Sequence, residues 1–328
     1  MARDDARSER IGRYVSRLIE DGATLQVGPG RVPNGALRFL TERRDLHILT
    51  DLLSEELAGL VESGVVSADE INGDPSVMAS FCTGTASFFD RLRDDPRYTF
   101  WPIEHVTDPV RLAGRSRLVS ITQALTIDLT GQACCDRIGE TLFGGLGSQP
   151  EFMRAASRAV GGKPILCLYA TDDTGGSTLS SALRAGDAVA IPRSDVHFVV
   201  TEWGIASLHG KSIEQRSLAL IEIAHPDHRP NLLEEALTSG LIPGGYQLSN
   251  LDAYRVEDER TVGTKSGVAV LLRPARLADV AELQRLFHRC TRDDIYLRFF
   301  RYLRSLRSRK RFVCASATRH STLSSLLW

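Results

Sequence analysis

The chain has 328 residues, of which 42% are hydrophobic, and a formal net charge of -1 at pH 7. This length suits one large or two ordinary domains with a proper core. The near-neutral charge gives no overall attraction to nucleic acid or membranes, and no apolar run approaches the ~18 residues of a membrane-spanning helix. The charged residues 1–15 contain no apolar signal region, so we expect a cytoplasmic protein.

Helical and strand-like patterns alternate along the chain, beginning with a helix predicted over residues 5–21. Later helices are predicted to begin near Pro33, Ser54, Ala86, Pro150 and Ser212, the last with a Ser212/Gln215 capping box. The predicted strands are Thr24–Val27, Leu46–Thr50, Val77–Cys82, Tyr98–Ile103, Leu118–Leu129, Ile165–Ala170, Ala188–Pro192 and His197–Thr201. This alternation predicts an α/β fold with a mostly parallel sheet.

The first strand–loop–helix–strand unit supplies one candidate site. Ligands of open parallel sheets bind where loops leave the carboxyl ends of strands, and Gly28, Gly30 and Asp51 fall at such ends. Arg31 could meet an anionic ligand there, although a surface arginine is the more common outcome. From the residues alone, a helix cap is favoured over a catalytic role for Asp51.

A second glycine loop, residues 141–149, precedes the helix predicted at Pro150. The backbone N–H groups at a helix N-terminus are unpaired and attract anions, and glycines let a ligand approach the main chain. The loop matches neither a Walker loop nor the dinucleotide fingerprint. A phosphate or oxyanion cradle and a simple tight turn are equally compatible with it.

Other polar residues have simpler interpretations. Glu202 and His209 could be acid–base groups, but buried side chains held by neighbouring backbone are favoured. The segment His225–His228 looks like a metal cluster, yet its proline breaks helical pairing, so we interpret it as a helix exit. The six cysteines show no zinc or redox spacing, and we expect reduced thiols and no metal. Without a Gly-x-Ser-x-Gly elbow, a serine hydrolase is disfavoured.

Several separated stretches make the chain recognisable: LIEDGATLQVGPGRVP, DLHILTDLLSEELAGLVESGVV, ALTIDLTGQACCDRIG, FGGLGSQPEFMRAAS and HFVVTEWGIASLHGKSIEQRSLALIEIAHPD. Residues 8–245 resemble the C-terminal half of the acetyl-CoA hydrolase/transferase family, relatives of 4-hydroxybutyrate and succinyl-CoA:acetate CoA-transferases. The resemblance implies an open α/β/α domain of CoA-transferase type. It also implies an acyl-CoA and a small carboxylate as substrates, with coenzyme A as part of the substrate.

The resemblance also assigns roles within the two candidate sites. Asp51 matches the position of the family's nucleophilic glutamate, which forms an anhydride and then an enzyme–CoA thioester. The loop that contacts CoA and the thioester oxyanion is matched by Gly144, Gly145, Gly147, Ser148 and Gln149, and the first glycine loop by Gly28 and Gly30. The sequence departs from the family at three positions, with Asp51 for glutamate and with Arg31 and Ser148 for glycines. Gln132 matches a landmark without an assigned role.

The C-terminal part of the chain is expected to differ. We predict one domain over residues 1–252, a charged linker over 253–267 and a third segment over 268–328. This last segment resembles the incomplete α+β start of a GNAT acetyltransferase, followed by an irregular tail. The arginine-rich stretch from Arg298 is interpreted as a solvated helix or an unfolded tail in preference to a nucleic-acid patch.

Three functional hypotheses follow. The first is a CoA-transferase or acyl-CoA hydrolase acting on a short-chain acyl-CoA such as acetyl-CoA. The second is a non-catalytic CoA-binding module that regulates a fused N-acetyltransferase. The third is a non-functional fragment. The resemblance implies a separate N-terminal CoA-transferase half as a partner, a homo-oligomer is compatible with the sequence, and neither nucleic acid nor a membrane is an expected partner.

Overall fold

The computed structural model describes residues 6–70, 73–138, 141–244, 260–264, 269–272 and 289–299. Their centre is an eight-stranded sheet. In chain order its strands are β1 (Thr24–Val27), β2 (His47–Leu49), β3 (Val77–Ala79), β4 (Tyr98–Phe100), β5 (Leu118–Gln123), β6 (Lys163–Cys167), β7 (Phe198–Thr201) and β8 (Gly204–Ser207). Their spatial order is β8-β7-β6-β5-β1-β2-β3-β4. Every neighbouring pair is parallel except β7 and β8, so the predicted mostly parallel α/β sheet is confirmed.

The strand order reverses direction at β1. The chain proceeds outward from β1 through β2 and β3 to β4, and then returns to place β5 on the other side of β1. At such a switch point the connections on either side diverge and leave a crevice outside the carboxyl ends of the strands. The crevice therefore lies where β1 and β5 end.

Helices connect the strands. They are α1 (Ala6–Ser16), α2 (Arg31–Leu37), α3 (Glu55–Glu62), α4 (Ala86–Leu92), α5 (Ile103–Val106), α6 (Pro109–Ala113), α7 (Gln149–Arg158), α8 (Ile213–Ile223), α9 (Arg229–Thr238) and α10 (Arg292–Phe299). The Ser212/Gln215 capping box is present, and Ser54 caps α3 as predicted. A 3₁₀ turn, Pro226–His228, separates α8 from α9, which confirms the helix exit. None of the described helices is long and apolar enough to cross a bilayer.

Smaller pairs of strands extend the architecture. The pairs are Leu52–Ser54 with Phe81–Thr83, Arg137–Ile138 with Thr141–Leu142, and Arg260–Gly263 with Ala269–Leu272. A further group has three strands, in the order Leu179–Ser180, Thr126–Asp128 and Ala133–Cys134. The first pair follows β2 and β3 in sequence and is likewise parallel. Asp51 lies at the bend between β2 and the first strand of this pair.

Apolar side chains cover both faces of the sheet. In β6, Ile165 and Cys167 join one buried cluster with α1, α2 and α3, whereas Leu166 joins another with α8 and α9. Because successive strand residues point to opposite faces, this alternation places one cluster on each side. The result is the three-layer arrangement expected of an open α/β/α domain.

Several element boundaries differ from the sequence prediction. Helix α2 begins at Arg31, two residues before Pro33, because proline is tolerated throughout a first turn whose N–H groups lack intrahelical partners. Residues 188–192 form no strand and contribute only a bridge between Ile191 and Ala133.

The C-terminal predictions fall mostly outside the described residues. Residues 273–288 of the predicted acetyltransferase-like segment and the tail after residue 299 are among them. Within the predicted linker, Arg260–Gly263 is an antiparallel partner of Ala269–Leu272 and not an irregular segment. The division into domains stays a prediction.

Candidate active site

Asp51 lies just beyond the carboxyl end of β2. Its main-chain oxygen accepts hydrogen bonds from the N–H groups of Ser80 and Phe81, both at 3.0 Å. Thr50 Oγ1 lies 3.3 Å from Oδ1 of the same aspartate. The two main-chain hydrogen bonds fix the backbone of Asp51. The residue is 9% exposed, so part of it still reaches solvent.

The second glycine loop packs against this carboxylate. Ser148 Oγ donates a hydrogen bond to Asp51 Oδ2 over 2.5 Å. Gly147 is next to it with φ of 56°, and a Cβ built there would lie 3.8 Å from Oδ2. The structure therefore brings Asp51 and the loop together although they are about a hundred residues apart in sequence. It also shows that the Asp51 side chain does not cap α3, since Ser54 does so.

The loop presents main-chain donors. The N–H of Gly144 donates to Asp136 O and that of Gln149 to Leu146 O. Across the described segments, the N–H groups of Gly145, Gly147 and Ser148 have no protein acceptor. The first two residues of these three are exposed, and a Cβ on Gly145 would meet nothing within 4 Å. These amides can therefore receive an oxyanion or a carbonyl oxygen from a ligand.

The first glycine loop reaches the same edge of the sheet. The N–H of Gly28 donates to Ile121 O at 2.8 Å, which ties the end of β1 to β5. Gly30 has φ of 139°, and a Cβ there would lie 2.7 Å from Gln123 Oε1. A Cβ on Gly28 would lie 3.2 Å from Thr122 Oγ1, so both glycines have structural reasons for their small size. Arg31 is exposed at the start of α2.

Three buried polar atoms near these strand ends have no hydrogen-bond partner within the described part of the chain. They are Ser80 Oγ, Thr122 Oγ1 and Gln149 Oε1. Ser80 follows β3, Thr122 is the penultimate residue of β5, and Gln149 begins α7. Buried polar groups are usually satisfied, so these atoms are candidates for contact with a ligand. Sequence reasoning missed Ser80 and Thr122, because the predicted strands Val77–Cys82 and Leu118–Leu129 extend past both residues and gave no sign that the main-sheet strands end there.

Glu202 and His209 contact other residues of the described chain. Glu202 Oε2 accepts a hydrogen bond from the N–H of Ala170 at 2.9 Å, as expected of a buried side chain held by backbone. The rings of His209 and His197 lie 4.0 Å apart. Burial, together with His209 and Arg216, lowers the pKa of His197 to about 4.

Apolar side chains are exposed on the elements that border the site. Phe81, the first residue of the short strand Phe81–Thr83, is 54% exposed, and Trp101, which directly follows β4, is 43% exposed. Leu142 and Phe143, within the second glycine loop, are 63% and 70% exposed. Exposed apolar surface of this kind is typical of an interaction site.

The described residues contain no group of three or more His, Cys, Asp or Glu side chains arranged to hold a metal ion. Within them, the polar groups at the site are a carboxylate, hydroxyls, an amide and main-chain N–H groups. This set suits nucleophilic attack by a carboxylate on an acyl carbon.

Residues 84–236 match the family model of the acetyl-CoA hydrolase/transferase C-terminal domain. A succinyl-CoA:acetate/propanoyl-CoA:succinate CoA transferase from Fasciola hepatica is 38% identical over 232 residues, 70% of this chain and 48% of the relative. A 4-hydroxybutyrate coenzyme A transferase from Clostridium kluyveri is 36% identical over 227 residues, 69% and 53% of the respective lengths. The crystal structure of RipA from Yersinia pestis gives a TM-score of 0.69 at 32% identity, covering 74% of this chain and 55% of RipA.

The chain belongs to the acetyl-CoA hydrolase/transferase family, as the sequence motifs predicted. It spans about half the length of the relatives that it matches. The roles of the individual site residues, and the resemblance of residues 268–328 to an acetyltransferase, stay predictions.

Proposed function

We propose that the chain contributes the nucleophile-bearing half of an enzyme that transfers CoA from a short-chain acyl-CoA, such as acetyl-CoA, to a small carboxylate or to water. Asp51 attacks the thioester carbonyl carbon, the C–S bond breaks, and CoA leaves as a thiolate. The thiolate then attacks the acyl-aspartyl anhydride at Cγ and releases the acyl group as a carboxylate. The resulting enzyme–CoA thioester is resolved by the acceptor.

One observation carries this proposal: the Asp51 carboxylate and the loop at the N-terminus of α7 lie in direct contact. A nucleophile needs a nearby donor set for the oxyanion that forms when it attacks. The N–H groups of Gly145, Gly147 and Ser148 have no protein acceptor among the described residues and lie on that loop. Carboxylate and donors are therefore available on the same side of the sheet.

Exposed apolar surface beside the site supports a partner for this half of the fold. The relatives are about twice as long as the matched region, and the residues bordering the site include exposed Phe81, Trp101 and Phe143. We propose that a separate N-terminal CoA-transferase half covers this surface. An interface of this kind would bury aromatic side chains that are otherwise in water.

The test is to trap the covalent intermediate. The protein is incubated with acetyl-CoA and reduced with borohydride, which converts a thioester at Asp51 to an alcohol that peptide mass spectrometry detects. We expect reduction at Asp51 in the wild type, none in Asp51→Asn, and wild-type labelling in the control Asp69→Asn, whose side chain is exposed. Hydroxylamine should prevent the labelling. Tight CoA binding without any trapped thioester would contradict the proposal and indicate a binding module.

A further inference from the structure

The two oxygens of the Asp51 carboxylate are held unequally. Ser148 donates its hydroxyl proton to Oδ2 over 2.5 Å. Thr50 Oγ1 lies 3.3 Å from Oδ1 but also 3.2 Å from Leu52 O. A hydroxyl carries one proton, so Thr50 can donate fully to only one of these acceptors. Oδ2 therefore has a short, directed hydrogen bond and Oδ1 a long, shared one.

The hydroxyl of Ser148 donates to the carboxylate and does not cap the helix that follows. Serine at an N-cap usually accepts a hydrogen bond from an N–H of the first turn. Ser148 stands at the N-cap of α7, but its side chain caps no N–H group. It is 8% exposed, and a charge-assisted hydrogen bond between such buried partners is stronger than a neutral one. Ser148 thus fixes the direction of a charged group in the cleft.

We propose that Ser148 is a positioning residue that selects Oδ1 as the attacking oxygen and remains bound to Oδ2 throughout the reaction. This inference rests on the proposed acyl-CoA chemistry and assigns within it the part of one side chain. Gly147 supports the assignment, because its left-handed backbone places the main chain and no side chain beside Oδ2.

The bonds that form and break during the proposed reaction make Oδ2 the oxygen that stays on the enzyme. When Oδ1 has attacked and CoA returns to Cγ, the Cγ–Oδ1 bond breaks and Oδ1 leaves with the released carboxylate. Oδ2 becomes the carbonyl oxygen of the enzyme–CoA thioester and still accepts from Ser148. The acceptor then attacks Cγ, and negative charge develops on Oδ2, where a donor already lies.

The experiment measures the thioester carbonyl directly. Infrared difference spectra, recorded after acetyl-CoA is added, report the carbonyl stretch of the enzyme–CoA thioester. A hydrogen bond to a carbonyl oxygen lowers its stretching frequency, so the band should lie at higher frequency in Ser148→Ala and Ser148→Gly than in the wild type. Ser148→Thr keeps the hydroxyl and should restore the wild-type band. Ser157→Ala removes an exposed hydroxyl of the same helix and is the matched control.

Kinetics supply a second measurement. The rate of thioester formation should fall roughly 100-fold in Ser148→Ala, the usual effect of losing one donor. The acetyl-CoA concentration at half saturation should stay within about threefold, because no ligand contact is removed. Glycine is well tolerated at an N-cap, so Ser148→Gly provides a folded variant if the alanine protein does not fold.

The outcomes separate the two levels of the proposal. A thioester that forms with the same band and rate in the wild type and in both hydroxyl-free variants would overturn the role of Ser148 and leave the proposed function intact. If the wild type forms no thioester, the proposed function and the role of Ser148 are both overturned. A higher band with restoration by threonine supports the assignment.

Discussion

Gly147 faces the carboxylate of Asp51 so closely that a Cβ built on the glycine would lie 3.8 Å from Oδ2. The distance is ordinary van der Waals contact, so space alone would admit alanine. The backbone, with φ of 56°, is in the left-handed region that disfavours it. The requirement for glycine is therefore conformational, and it lies at the proposed site.

Replacement of Gly147 should cost both stability and reactivity. Gly147→Ala is expected to destabilise the protein by about 1–2 kcal/mol through left-handed strain, or to relieve this strain by moving the loop away from Asp51. Urea unfolding and borohydride trapping measure the two effects. Gly145→Ala is the control, because its Cβ would meet no atom within 4 Å. It should unfold like the wild type but weaken acetyl-CoA binding if a ligand approaches that amide, as calorimetry would show.

Gln132, the landmark without an assigned role, lies in a turn formed by residues 128–132 that has a structural explanation. Gln132 Nε2 donates to Asp128 Oδ2 at 2.8 Å, and Asp128 Oδ1 accepts from Thr130 and from the main chain of Gln132. A Cβ on Gly131, whose φ is 97°, would lie 2.8 Å from Arg216 Nη1. The turn therefore packs against a buried arginine and holds it in place.

Gly131→Ala should consequently be destabilising by about 2–4 kcal/mol, from strain and from the displaced hydrogen bonds of Arg216. Gly64→Ala is the matched control, since Gly64 also has positive φ, 77°, but nothing within 4 Å of its Cβ. It should lose only about 1–2 kcal/mol. Equal losses in the two variants, measured by urea unfolding, would show that the contact with Arg216 contributes nothing.

Local signals in the sequence were sufficient to predict much of the fold. The Ser212/Gln215 capping box and the positions of Asp51 and the second glycine loop all follow from a few neighbouring residues. Gly28, Gly30 and Asp51 follow strands of the main sheet, and the carboxyl ends of parallel strands share one edge, so their common location could be predicted. The second glycine loop follows a short antiparallel pair outside that sheet, so its approach to Asp51 did not follow from this rule.

Other features depend on distances that no local pattern fixes. The hydrogen bond from Ser148 to Asp51 joins residues 97 positions apart. It requires that the N-terminus of α7 be positioned next to the residue that follows β2. The run from Leu118 to Leu129 has one continuous apolar pattern, yet it leaves the main sheet after Gln123 and pairs elsewhere from Thr126. Periodicity shows that residues are buried but not against which strands.

Asp74 forms ion pairs with Arg111 and Arg115 at the amino-terminal approach to β3. Arg115 is 2% exposed, and burial lowers the pKa of its guanidinium while the carboxylate opposes that shift. Removing one partner of a buried pair usually costs about 3–5 kcal/mol. Asp74→Ala is therefore expected to lower the urea midpoint strongly. Arg93→Ala, which removes an exposed pair with Asp90, should change stability by less than about 1 kcal/mol. Similar effects in the two variants would contradict this difference.

His197 should make folding stability depend on pH. It is 8% exposed, and burial, His209 and Arg216 lower its pKa to about 4, although Asp195 acts in the opposite direction. The unfolded chain binds a proton at the ordinary pKa of about 6.5, whereas the folded chain does not until the pH approaches the lowered value. The contribution of this residue to stability is thus complete above about pH 6.5 and is lost as the pH falls toward about 4.

The corresponding measurement is urea unfolding between about pH 7 and about pH 5. We expect the wild type to lose up to about 2 kcal/mol more than His197→Gln across this range, because glutamine does not titrate and each pKa unit corresponds to about 1.4 kcal/mol. Comparing the slopes of the two proteins removes the contribution of other groups. Parallel pH profiles for the wild type and the variant would show that His197 takes up its proton equally in the folded and unfolded chains.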